Sequence, residues 1–112
     1  MEAKDLYPKL EYFIGGYFHQ NWIDLVESRG EPKEYDYIVN DLLTGESRAT
    51  LLKLSDDISR LLASSPSEEV LRRVIKKEFH GNIDPPLRGW TWRGWLEHVK
   101  KRIDEQLKFS LQ

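Results

Sequence analysis

The sequence predicts an all-α fold, a single compact domain of about five helices spanning residues 1–112. Three observations predict it. Apolar residues recur at three- and four-residue spacing along nearly the whole chain, no stretch alternates apolar and polar residues long enough for a strand, and capping residues and helix breakers fall at the ends of the apolar runs. With 112 residues, 39% apolar and 32% charged, the chain is large enough for one core and too charged for a membrane protein. It has no cysteine, which excludes a disulfide scaffold, a thiol nucleophile and a thiolate-bound metal.

The first helix is predicted from Leu6, Leu10, Phe13, Ile14 and Tyr17, with Pro8 at an early position where its missing N–H costs nothing. Gly15 and Gly16 each weaken a helix by about 1 kcal/mol relative to alanine, so a bend or stop is expected near Gly16. A second helix over about 33–44 follows from Tyr35, Ile38, Val39, Leu42 and Leu43, closed by Gly45 in a left-handed conformation. Ser47 is placed to cap the third, whose apolar stripe of Leu51, Leu54, Ile58, Leu61 and Leu62 is the strongest in the chain. Ser65, Pro66, Ser67 and Glu68 read as a capping box that opens a fourth helix through Val70, Leu71, Val74, Ile75 and Phe79, ended by Gly81. Pro85 and Pro86 force an extended connection, and Thr91 caps a last helix carrying Trp92, Trp95, Leu96, Val99, Ile103, Leu107 and Leu111.

No assembled chemistry is visible. His19, His80 and His98 stand in different segments, without the i, i+4 pairing of a zinc helix, so neither a metal nor a cofactor is expected. No phosphate loop, nucleophile elbow or calcium loop is present. Asp56-Asp57 and Glu68-Glu69 are neighbours that diverge on a helix, so they are expected on solvated faces rather than as catalytic dyads. The start MEAKDLYPKL lacks a basic flank followed by an apolar run, and no run approaches the length of a spanning helix; a cytoplasmic protein is expected.

Charge is unevenly laid out. Residues 24–45 hold six acids and two bases, while residues 70–112 hold five acids and ten bases, although the whole chain carries only −2. Lys100, Lys101, Arg102 and Lys108, with Arg88 and Arg93 nearby, would suit phosphate, but Glu97, Asp104 and Glu105 are interspersed among them. A mixed, solvated helix face explains that pattern with fewer assumptions than nucleic-acid binding, which needs a clear basic field.

The least ordinary block is Gly15-Gly16-Tyr17-Phe18-His19-Gln20-Asn21-Trp22. Its aromatics are suited to fill a helix corner, with His19, Gln20 and Asn21 serving open chain ends, so a structural role is expected. A helix followed by this block, an alternation of short helices, and Trp95-Leu96 in the final helix together resemble the small immunity proteins of bacterial contact-dependent growth inhibition systems, the CdiI family. Leu10, Phe13, Ile58, Leu61 and Leu62 also match, and Asn21 stands where aspartate is commoner.

The resemblance implies a non-enzymatic inhibitor that binds the C-terminal toxin domain of a large exported effector, often a nuclease. A nuclease carries a basic surface, so the expected contact is the acidic segment: Asp24, Glu27, Glu31, Glu34, Asp36 and Asp41, with Tyr35 and Tyr37 as aromatic anchors. The competing expectation, from another class, is a small nucleic-acid-associated or regulatory protein that uses the basic C-terminal helix.

Overall fold

The computed structural model describes residues 3–30 and 34–109, so the expectations for Glu31 and Leu111 fall outside the described residues. The elements are α1 (Ala3–Leu6), α2 (Pro8–Tyr17), α3 (Trp22–Ser28), α4 (Tyr35–Gly45), α5 (Arg48–Ala63), α6 (Glu68–Arg73) with a π turn at Val74–Glu78, a 3₁₀ turn at Pro85–Arg88, and α7 (Trp92–Phe109). Among the described residues there is no strand, as the apolar spacing predicts. The long helices α5 and α7 pack on one another; α2 lies on α5, α6 and α4 on α7, and α3 on α4.

The stripes predicted for α4 and α5 reach the core: Ile38, Val39, Leu42, Leu43, Leu51, Leu54, Ile58 and Leu61 are buried. Ser47 caps α5 by accepting from Thr50 N–H at 3.2 Å, and Thr91 caps α7 by accepting from Gly94 N–H at 2.8 Å. Phe13, Phe18, Trp22, Tyr35 and Trp95 form one aromatic cluster, with ring centroids 5.5–5.6 Å apart where Phe18 meets Phe13, Trp22, Tyr35 and Trp95. Most of these pairs are edge-to-face, the arrangement favoured by the ring quadrupole.

α2 ends at Tyr17, next to Gly16, as expected, and several other local expectations are corrected. Gly15 is there for close approach: a Cβ would lie 2.9 Å from the Phe79 carbonyl oxygen, and one on Gly81 would lie 2.5 Å from Ile14 Cγ2. Gly81 thus seats the chain against α2, and the left-handed residue that ends the α6 segment is His80 (φ 59°). Gly45 is the last residue of α4 and is not left-handed; the chain leaves through extended Glu46.

The helix α3 is an addition to the expected set. It is only seven residues long, and its apolar signal rests on Trp22 and Val26, too short to separate from the aromatic block before it. The fourth helix widens into a π turn, where Phe79 N–H donates to Val74 C=O at 2.9 Å and Val74, Ile75 and Phe79 all reach the core.

The adjacent acids are not all solvated. Asp57 is buried and accepts from Lys9 N–H at 2.8 Å and Leu10 N–H at 3.1 Å, capping α2 from α5 because the Tyr7 position before that helix has no capping side chain. Nor do Ser65 to Glu68 form a capping box. Ser67 caps α6 alone, through Val70 N–H at 3.2 Å, while Glu68 accepts from Trp92 N–H at 2.7 Å and Arg93 N–H at 3.1 Å at the start of α7.

Candidate functional site

The block from Gly15 to Trp22 builds the corner between α2 and α3. Phe18 and Trp22 are buried; the Trp22 indole N–H donates to Asn82 C=O at 2.6 Å, and Asn82 N–H donates to Phe18 C=O at 2.9 Å. His19 Nδ1 accepts from Asn21 N–H at 3.0 Å, and Gln20 C=O accepts from the Asn82 side-chain amide at 3.4 Å. Asn21 precedes α3 without a side-chain cap bond. Gly16 has open space around it. Tyr17 donates to Glu46 at 2.6 Å, and Tyr12 donates to the same oxygen at 2.9 Å. Burial first, and then the bond to Glu46, push the Tyr17 phenol well above its ordinary pKa.

The acidic residues of α4 and its preceding loop lie off the buried stripe of that helix, and Glu34, Asp36 and Asp41 each meet a basic side chain from another element. Arg29 grips Asp41 through two bonds, at 3.1 and 3.0 Å. Arg88 lies 3.6 Å from Glu34. Asp36 lies 3.0 Å from His98 and 3.6 Å from Arg102. The carboxylates still face water, with side-chain exposures of 61% for Glu34 and 50% for Asp36. Asp24 and Glu27 are exposed on α3. Of the two expected anchors, Tyr37 is half-buried at the surface, whereas Tyr35 is taken into the core, where its hydroxyl accepts from Asp84 N–H at 2.7 Å.

Sequence reasoning missed a cleft beside this face. Glu34, Asp36, Tyr37, Arg88 and Trp90 wall about 340 Å³ of space over Tyr35 and Trp95. The Arg88 guanidinium lies 4.7 Å from the centre of the Tyr35 ring, and Trp90 stacks on His98 at 4.8 Å. Leu87, next to Arg88, is 85% exposed on a turn set by Pro85 and Pro86. Among the described residues, the buried side-chain polar atom without a hydrogen-bond partner is the indole nitrogen of Trp95. The proline pair marks this turn in the sequence, but nothing there tells that Trp95 lies under it.

The C-terminal basic helix is not a bare cationic stripe. Lys100 donates to Asp104 at 2.6 Å, Arg102 is bound to Asn40, and Arg93 donates to Leu62 C=O at 3.1 Å. The groove between α5 and α7 alternates Lys100, Lys101 and Lys108 with Glu97, Asp104 and Glu105. Burial opposes charge on Asp104, but bonds from Lys100 and Ser55 and the Lys100 charge outweigh it and hold that carboxyl below its ordinary range.

Among the described residues no three His, Asp or Glu side chains converge as a metal site, and no helix is long and apolar enough to cross a membrane. Small size, an all-helical scaffold and a charged face beside an aromatic cleft suit a protein-binding module. Residues 6–103 match the CdiI immunity protein family, and the chain belongs to that family. It is an immunity protein, a toxin inhibitor and not an enzyme. Among solved structures it is similar to the crystal structure of a CdiA-CT/CdiI complex from Y. kristensenii 33638, with 24% identity, a TM-score of 0.79, and coverage of 93% of this chain and 99% of that one. No curated protein matches the chain.

Proposed function

We propose that this immunity protein acts in the cytoplasm on the C-terminal toxin domain of an exported effector, that the toxin is a nuclease, and that the acidic face of residues 24–41 supplies most of the contact. The observation that carries this reading is that Glu34, Asp36 and Asp41 all lie off the buried stripe of Ile38, Val39 and Leu42 along α4. A nuclease concentrates positive potential where it holds its substrate, so a negative face docks there with fast, salt-sensitive association and excludes the polyanion. The contacts of Glu34 with Arg88 and of Asp36 with Arg102 are long, at 3.6 Å, and their carboxylates face water, so exchanging these partners for cations of the toxin costs little. The complex of the solved CdiI relative with CdiA-CT supports a toxin domain as the partner.

The test reverses charge at Glu34, Asp36 and Asp41 and, separately, at Lys100, Lys101 and Lys108, with binding to the toxin domain measured at two salt concentrations and protection scored by growth rescue. The acidic set is expected to slow association and lose protection, and the lysine set to change neither. Loss with the lysine set alone would place the toxin on the α5–α7 side. Unaltered protection by both would remove electrostatics from the contact.

A further inference from the structure

The cleft beside α4 already holds a guanidinium, one of this chain's own. Arg88, at the end of the proline turn, places it 4.7 Å from the centre of the Tyr35 ring and 3.6 Å from the Glu34 carboxylate. An aromatic face below and a carboxylate beside it are the surroundings a guanidinium seeks. Here they are only half used. Arg29 grips Asp41 through two hydrogen bonds at 3.1 and 3.0 Å, whereas among the described residues the Arg88 guanidinium makes the long contact with Glu34 and no side-chain hydrogen bond. The other walls are Asp36, Tyr37 and Trp90. Asp36 is engaged by His98 at 3.0 Å and Arg102 at 3.6 Å, which leaves Glu34 as the acceptor the cleft can offer. With Arg88 turned out, the charged walls are two carboxylates, and the rest is aromatic surface.

We propose that Arg88 is a resident stand-in, which fills the cleft in the free chain and yields its place to an arginine of the toxin domain on docking. The incoming guanidinium lies on the Tyr35 face, donates to Glu34 and is flanked by Tyr37 and Trp90. This assignment rests on the reading of the chain as a toxin-binding protein. A planar guanidinium stacks on a ring and forks on a carboxylate, which an ammonium does not do, so arginine rather than lysine is the fitting side chain. Two guanidinium groups in one cleft repel, so the resident one leaves. It can do so without unfolding the turn: Leu87 N–H donates to Asp84 C=O at 3.0 Å and Trp90 N–H to Pro85 C=O at 3.1 Å, and these bonds hold the backbone while the Arg88 side chain rotates on its own stem.

The proposal fixes the sign of one substitution. If Arg88 competes with the toxin for the cleft, Arg88→Gln binds the toxin domain more tightly than the parent, by roughly two- to fivefold, the worth of one exposed cation–π contact expressed as a ratio. Lys101→Gln makes the same change of charge on α7 and is expected to leave that affinity unaltered. Both variants are expected to melt with the parent, because they alter surface charges. The cleft itself is probed without the toxin, by titrating N-acetyl-arginine methylamide at constant ionic strength and following the indole resonance of Trp90, assigned through Trp90→Phe. A saturable shift is expected in Arg88→Gln, a weaker one in the parent, and none when Glu34→Gln is added to Arg88→Gln; the matching lysine derivative binds several-fold more weakly. No saturable shift in Arg88→Gln overturns the guanidinium site. Weaker toxin binding by Arg88→Gln overturns the displacement, because Arg88 is then itself a contact. A probe that binds the cleft of a chain that does not bind the toxin domain overturns the toxin as the source of the arginine, and the proposed function with it.

Discussion

Removing the Asp57 carboxylate tests whether α2 depends on a cap borrowed from another helix. In Asp57→Ala, the Lys9 and Leu10 N–H groups lose their acceptor, and Leu10 is fully buried. Each bond from a backbone N–H to a charged acceptor contributes about 1.5–3 kcal/mol. Taking the lower end for both, because Lys9 is only partly buried, gives about 3–4 kcal/mol. The bond from Arg60 adds little, since that guanidinium is half exposed and keeps Asp56 and the Leu6 carbonyl as acceptors. Asp57→Asn retains a neutral acceptor and should cost about 1–2 kcal/mol.

Urea unfolding read by tryptophan fluorescence, with thermal melts alongside, measures these differences; for a domain near this size each kcal/mol lowers Tm by roughly 4–6 °C. The neighbouring Asp56→Ala should stay within about 0.5 kcal/mol of the parent, because Asp56 is exposed and bound to Arg60 at the surface. Equal effects at 56 and 57, or an Asp57→Ala variant as stable as the parent, would refute the cap.

Trp22→Ala and Trp95→Ala should each cost about 3–5 kcal/mol in the same unfolding assay, the range for a core aromatic; parent-like stability in both would move the aromatic cluster to the surface. The depressed Asp104 carboxyl contributes stability that is present above its unfolded pKa of about 3.9 and lost as pH falls through its lower folded value. Asp104→Asn should therefore flatten the acid limb of a stability-against-pH profile below about pH 4, and an unchanged limb would contradict that. Exchanging the Arg29–Asp41 pair as Arg29→Asp with Asp41→Arg should recover most of any stability lost by either change alone, read as a double-mutant cycle on thermal melts; strict additivity would show that the pair is not coupled.

The apolar architecture was legible because helix periodicity and capping are local. Leu51, Leu54, Ile58 and Leu61 lie four and three apart, and a helix delivers them to one side whatever it packs against. What sequence did not carry was the destination of polar groups. Glu68 stands where a capping box would use it, yet its carboxylate serves α7, 24 residues on. Asp57 looks like half of a solvated pair until α2 arrives with two open N–H groups. Tyr35 reads as a surface anchor on an acidic segment, but its i+3 and i+4 neighbours Ile38 and Val39 place it on the buried stripe. The cleft depends on Trp95 of α7, the turn a few residues before it and the start of α4 coming together, a coincidence of three elements that no window on the chain contains.

The same geometry constrains how such a protein changes partners. The outer positions of α4 carry Glu34, Asp36 and Asp41, and the inner positions carry Tyr35, Ile38, Val39 and Leu42, so helical periodicity separates recognition from folding along one element. Yet the outer acids are tied to Arg29 of α3, Arg88 of the proline turn, and His98 and Arg102 of α7. A reversal at Asp36 brings a second cation beside Arg102 and takes the carboxylate from His98, whereas Asp24 is exposed on α3. Change on the recognition face is therefore cheapest at Asp24 and at exposed Leu87, and at Asp36 it is expected together with a compensating change on α7.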